Sequence, residues 1–216
     1  MKTFALIVRK PGITRDEFRE HYEKVHAPLA FPLMSGLVRY VRHHVLEELH
    51  GAAGFDVATS FTYRDASAMR GVVARLASPA GDAVLRDEAT FMDKPRNRFF
   101  EVREAGETGA HPAEARLACI VLVKRAHGRG ASEFAAEFAA HALPSLRDAA
   151  QAMRWSLHHE ALATFGEPPW DLVTQLHAEA EGDLSAWCLE REREGARALL
   201  VRVSGHATAI PPAGVA

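Results

Sequence analysis

Cysteine is scarce in this chain: Cys119 and Cys188 are the only two in 216 residues, too few for a disulfide framework. Both sit among apolar neighbours, which predicts buried thiols in a reducing cytoplasm. No apolar run approaches the ~18 residues a membrane span needs. The N-terminal stretch Met1–Arg9 stops too soon for the apolar core of a signal peptide, so neither membrane nor export is expected. Charge of one sign is also missing. The 26 basic and 28 acidic side chains are mixed along the chain, which removes the electrostatic case for nucleic acid or an anionic membrane. There is no His-x-x-x-His, no cysteine cluster, no glycine-rich phosphate loop and no nucleophile elbow, and Gly128-Arg129-Gly130 reads as a turn. Metal, nucleotide and covalent mechanisms are therefore disfavoured, and no metal site is expected.

What the chain does have is a 48% hydrophobic composition, twelve histidines and an internal repeat. At an offset of 115, His26-Ala27 meets His141-Ala142, Arg39-Tyr40 meets Arg154-Trp155, and His43-His44 meets His158-His159. Phe55-Asp56 meets Trp170-Asp171 and Thr59 meets Thr174 at the same offset. Upstream the offset is 116, pairing Arg9 with Arg125, Phe18 with Phe134 and Tyr22 with Phe138. Residues 105–115 have linker composition, rich in Gly, Ala, Glu and His. The expected division is a first module over 1–104, a linker over 105–115 and a degenerate second module over 116–210.

The first module reads as a strand over Thr3–Arg9 and a helix begun by the capping box Thr14/Glu17, with Phe18, Tyr22 and Val25 on one face. Strands follow over Leu37–Glu47 and Phe55–Tyr63, then a helix over Ala66–Leu76 and a last strand over Phe99–Glu104. The second module repeats the order with strands at Leu117–Lys124, Gln151–Glu160, Asp171–Glu179 and Ala198–Val203 and helices at Ser132–Ala140 and Leu184–Arg193. The order β-α-β-β-α-β is that of ferredoxin-like folds. The fold class is therefore α+β. A four-stranded sheet with helices on one face leaves the other face bare, so the two modules are expected to form an intramolecular dimeric α+β barrel.

The segments Arg9-Lys10-Pro11-Gly12, Glu17-Phe18, Tyr22-x-x-x-His26-Ala27-Pro28-Leu29 and Phe91-Met92-Asp93 resemble the EthD family of the dimeric α+β barrel superfamily. The resemblance covers roughly residues 1–104 and is weaker over 116–210. It implies a pocket between helices and sheet. Superfamily relatives include cofactor-independent cyclases, isomerases, dehydratases, decarboxylases and monooxygenases, along with haem-handling proteins. His26 and Asp93 match the polar positions most typical of the family, and Tyr22 takes an aromatic position one turn before the histidine. The second copy keeps His141, replaces Tyr22 by Phe138 and sets Val203 against Asp93, so the first module is expected to hold the working site.

On this reading His26 ends a helix, where the helix dipole favours imidazolium, and Asp93 orients the ring for acid–base work. The alternative is a histidine that merely caps the helix. Tyr22 polarises a substrate carbonyl or, alternatively, is only core. Adjacent strand residues point to opposite faces, so neither His43-His44 nor His158-His159 chelates one ion. One histidine of each pair should face the helix side and the other the opposite face; Tyr40 shares a face with His44, and Arg39 with His43. A structural role at the pseudo-twofold seam is the main reading of these pairs. Tyr40, His43, His44 and Phe91 are the expected substrate contacts. The expected activity is a cofactor-independent lyase or isomerase acting on a small apolar or aromatic compound. The alternatives are an oxygen-using or haem-handling oxidoreductase, with His26 or His44 as axial ligand, and a non-catalytic binding protein. The expected partner is a small-molecule substrate, and the chain is expected to be a monomeric pseudo-dimer or a homodimer.

Overall fold

A computed structural model describes residues 1–108, 118–148, 152–158, 167–177 and 181–208. The fold class is α+β, with antiparallel strands and helices in the expected βαββαβ order, given twice. By contact the chain divides into two compact units. Unit 1 comprises Met1–His44, Phe55–Arg98 and His206–Ala216; unit 2 comprises Val45–Gly54 and Phe99–Gly205.

In unit 1, β1 (Lys2–Ile7) pairs with β3 (Val57–Tyr63), and β3 pairs with β2 (Leu37–His50), setting Tyr40 opposite Phe61 and His44 opposite Val57. The capping box forms as the sequence predicts: the Glu17 amide donates to Thr14 Oγ1 at 3.2 Å and the Thr14 amide donates to Glu17 Oε2 at 2.7 Å. It starts α1 (Arg15–His21), which continues through a π turn, Tyr22–His26, into α2 (Ala27–Ala30). His26 is thus inside a continuous helical run and does not end it. Asp65 caps α3 (Ala66–Leu76) by accepting from the Ala68 amide. A further helix, α4 (Asp82–Phe91), was not expected from the sequence, because Pro79 and Gly81 interrupt the pattern. Gly81 makes the close α3–α4 turn: a Cβ there would lie 2.0 Å from the Leu76 carbonyl oxygen. Val84 and Phe91, seven residues apart on one face of α4, are buried in the unit 1 core with Phe18, Tyr22, Tyr40 and Val57.

Unit 2 is built on β5 (Ala118–Lys124), which lies between β7 (Leu172–His177) and β8 (Arg197–Thr208). β6 (Ala152–His158) pairs with β7 on one side and with β4 (Arg98–Thr108) on the other. β4 runs to Thr108, past the expected end at Glu104, so the first residues of the expected linker are strand. The rest of that linker, from 109, lies outside the described residues, as does His159. A register shift in β4 falls beside Gly106, where a Cβ would come within 2.3 Å of the Trp155 ring. The helices are α5 (Ala131–Glu137), continued by a π turn at Phe138–Ala142, then α6 (Leu143–Asp148) and α7 (Glu181–Arg193). α7 passes directly into β8 through Glu194–Ala196, where unit 1 inserts α4. Both cysteines are buried, Cys188 among apolar side chains that push its thiol up to about 12.

The repeated aromatic-Asp pair is a fastening. Asp56 accepts the Arg9 amide at 2.9 Å and pairs with the Arg9 and Arg15 side chains; Asp171 accepts the Arg125 amide at 3.0 Å and pairs with Arg125 and Lys124. Each aspartate, less than a tenth exposed, ties the end of one strand to the start of its neighbour. The aromatic before it, Phe55 or Trp170, is buried.

Candidate functional site

The π turn widens the helix by one residue and directs Tyr22, Glu23 and His26 toward the sheet face of unit 1. On that face the period-2 alternation of β2 presents Tyr40, Arg42 and His44, and β3 adds Thr59. α4 supplies Asp87 and Phe91.

The carboxylate on His26 is Asp87, which replaces Asp93 in the expected pair. His26 Nδ1 lies 2.9 Å from Asp87 Oδ2, and His21 Nε2 lies 2.7 Å from Asp87 Oδ1. Asp93 sits in the turn before β4, its amide bonded to the Val8 carbonyl and its carboxylate 4.0 Å from Arg96. The His26 side chain is 5% exposed, and burial pushes its pKa below the ordinary histidine value against the opposing pull of Asp87. In its neutral form the ring donates Nδ1–H to Asp87 and leaves Nε2 unprotonated. Phe91 packs across this group, with ring centroids 4.5 Å from His21, 5.2 Å from His26, 5.3 Å from Phe18 and 5.9 Å from Tyr22. Replacing Phe91 with Ala is expected to cost about 3 kcal/mol of stability, read as a lower urea midpoint at unchanged m-value.

A second polar group centres on Glu23. Arg42 donates Nε to Glu23 Oε1 at 2.8 Å and Nη2 to Oε2 at 2.7 Å, and Nη1 to Thr208 Oγ1 at 2.7 Å. His44 Nε2 lies 2.7 Å from Glu23 Oε1, and the His206 ring stands edge-on to His44 at 5.4 Å. Burial alone would raise the Glu23 carboxyl, but the hydrogen bonds from His44 and Arg42 outweigh it and hold it down to about 2. Burial lowers the His44 pKa, so the neutral ring donates Nε2–H to Glu23 and its buried Nδ1 is an acceptor with no partner.

Between these groups lie two phenols. Tyr22 Oη is 3.3 Å from Thr59 Oγ1, and its ring is 5.0 Å from His26 and 5.5 Å from His44. The Tyr40 hydroxyl is buried with the Tyr22 phenol as its polar neighbour, and its ring lies under the Arg42 guanidinium at 4.4 Å. Burial raises both pKa values, Tyr40 well above the ordinary value. Of the expected residues, His26, Tyr22, Tyr40, His44 and Phe91 come together; Asp93 does not. His43 is buried on the opposite face of β2, as the alternation requires.

Asp87, His21, Glu23, Arg42 and Thr59 were not anticipated. Two of them had a readable sign: Arg42 completes the same-face series Tyr40-x-Arg42-x-His44, and Glu23 precedes His26 by less than one turn. Among its described residues the second unit offers no equivalent set. Its π turn stands 116 residues after the first, so the buried place of His26 is taken by Ala142, while the expected counterpart His141 is exposed. Val203, set against Asp93 in the sequence alignment, is a buried residue inside β8 opposite Ala118. Among the described residues no three His, Cys, Asp or Glu side chains form a cation site. No described helix is long and apolar enough to cross a membrane.

Comparison with known proteins bears on this arrangement. Residues 10–95 match the EthD domain model. No curated protein matches the sequence. Among solved structures, a candidate monooxygenase from Lactobacillus acidophilus is similar over 97% of this chain and 98% of its own, at 12% identity and a TM-score of 0.52. Chlorite dismutase from Candidatus Nitrospira defluvii, in complex with imidazole, is similar over 94% of this chain and 90% of its own, at 12% identity and a TM-score of 0.52. A candidate monooxygenase from Fusobacterium nucleatum is similar over 97% of both chains, at 10% identity and a TM-score of 0.50. At such identities the likeness concerns the fold alone. Residues 10–95 are thus similar to EthD domains, in a chain that shares its fold with these solved structures.

Proposed function

We propose that unit 1 is an acid–base site for proton transfer on a small apolar or aromatic organic compound, of the lyase or isomerase type. The observation that carries this reading is the buried His26, oriented by the Asp87 carboxylate at 2.9 Å with a phenol beside it. A base held in one tautomer is what abstraction of a carbon-bound proton requires. His26 Nε2 takes the proton, Asp87 holds the ring and stabilises the imidazolium that forms, and Tyr22 O–H donates to the developing enolate oxygen. The aromatic walls, Phe18 and Phe91, suit an apolar substrate. The test needs no knowledge of the product: a panel of small enolisable ketones, lactones and aromatic acids is incubated with the protein in D2O and followed by NMR. Catalysed deuterium uptake by wild type, lost in His26→Ala, is expected. Uptake at the wild-type rate in His26→Ala would remove His26 from the role.

The fold shared with the candidate monooxygenases supports a second reading, an oxidoreductase. Haem is the cofactor to test against the residues present. An axial imidazole must direct one nitrogen into a space that takes the macrocycle. His26 and His44 are each packed edge-on against Tyr22 within 5.5 Å, and their side chains are 5% and 2% exposed. As packed, these two histidines do not fit haem. A Soret band on haem titration, lost in His44→Ala, would restore that reading.

A further inference from the structure

The acid–base group and the Glu23 group of unit 1 meet at the Tyr22 ring, whose centroid lies 5.0 Å from His26 and 5.5 Å from His44. Their charges are spent on one another. Asp87 uses Oδ1 on His21 and Oδ2 on His26. Glu23 uses Oε1 on His44 and Arg42 Nε, and Oε2 on Arg42 Nη2. The third guanidinium nitrogen, Nη1, is taken by Thr208 Oγ1. The Arg42 side chain is 5% exposed, Asp87 10% and Glu23 17%, so water and salt screen these charges little.

Among the residues described at this site, Arg42 is the one permanent cation, set against the carboxylates of Asp87 and Glu23. A carboxylate entering beside His26 would meet no uncommitted guanidinium or ammonium, and its charge would lie near two others of the same sign. An ammonium would fare no better, because every oxygen of both carboxylates already accepts. The donor that the acid–base reading gives to the substrate, the Tyr22 O–H, is a neutral group. Abstraction from a neutral carbonyl compound moves a proton from carbon to His26 Nε2 and leaves an enolate, so imidazolium and enolate form together and the net charge is unchanged. The same step on a carboxylate-bearing compound leaves a dianion beside Asp87 and Glu23.

We propose that the unit 1 site selects uncharged enolisable carbonyl compounds, such as ketones, esters and lactones, and rejects their carboxylate counterparts. This rests on the acid–base reading and names its substrate class. The probes are matched pairs that share the same acidic carbon and differ in charge: methyl pyruvate with pyruvate, and methyl phenylpyruvate with phenylpyruvate. Deuterium uptake in D2O at neutral pH is followed by NMR, and each rate with protein is divided by that probe's uncatalysed rate. The esters are expected to be accelerated at least about a hundredfold more than the acids. Glu23→Gln keeps the size of the side chain and leaves the Arg42 charge uncompensated, so the ratio should narrow at least about tenfold. If that variant does not fold, ligand-observed NMR on wild type makes the comparison without turnover: methyl benzoate should bind saturably and benzoate should not. Acids accelerated as much as esters, benzoate bound as well as its ester, or a ratio unmoved in folded Glu23→Gln would overturn the selectivity and leave the acid–base reading standing. Acceleration of neither member of either pair would remove the acid–base reading and this inference with it.

Discussion

Replacing Glu23 with Ala is expected to lower the unfolding free energy by about 3–5 kcal/mol, because it strands a buried cation. The Arg42 side chain is 5% exposed and spends two of its nitrogens on Glu23, while His44, 2% exposed, donates its only N–H to the same carboxylate. Removing the acceptor leaves Arg42 Nε and Nη2 and the His44 N–H in the core without the carboxylate that satisfies them. The measurement is the urea midpoint at neutral pH. The double variant Glu23→Leu with Arg42→Met should recover much of the loss, since it removes both charges together. A Glu23→Ala protein as stable as wild type would show that water reaches Arg42. The same carboxylate sets an acid limb. Its folded value of about 2 lies below the ordinary 4.5. The unfolded chain therefore binds more protons between those values, and the contribution is complete above about 4.5 and lost as pH falls toward 2. Discounted for partial solvent access, it amounts to about 2 kcal/mol.

Asp87→Asn should lower the rate of catalysed proton exchange about a hundredfold, if the acid–base reading of unit 1 holds, while Asp93→Asn should leave it within about threefold. Asn removes the charge that stabilises imidazolium and no longer fixes the tautomer with Nε2 free. The pH profile provides a readout that a structural role would not move. Burial already places the His26 pKa below its ordinary value, with Asp87 the chief group raising it. Wild-type exchange should therefore climb as pH rises through that lowered value and then level off. In Asp87→Asn the climb should move to lower pH, because the raising group has gone. Combined with His26→Ala, the Asp87 change should add little further, as the two act through one nitrogen. His21, whose side chain is 33% exposed, is the solvent-side partner of Asp87, and its substitution by Ala should have the smaller effect.

Much of the architecture was legible in the residues because it rests on local rules. The capping box Thr14/Glu17 has its geometry encoded at a fixed spacing, and the aromatic-Asp repeat marks a fastening that each unit must make. The alternation along Tyr40–His44 assigned the two histidines to opposite faces, since a strand has only two. The site was less legible. Asp87 lies on a helix that Pro79 and Gly81 concealed, and nothing local distinguishes it from Asp93, which shares a family-like motif with Phe91. Their difference arises from where α4 delivers each side chain, a matter of packing between elements distant in sequence.

By itself the sequence determined the repeat, the βαββαβ order, the α+β class and the likeness of residues 10–95 to EthD domains, because periodicity, caps and spacing act over a few residues. Tertiary structure alone decided which carboxylate meets His26, that burial lowers the pKa of its imidazole, and that His26 is answered in the second unit by Ala142. Those outcomes depend on burial and on contacts such as Asp87 with His21 and Glu23 with Arg42 and His44, where desolvation and hydrogen bonding compete over ångströms. No spacing along the chain carries that information.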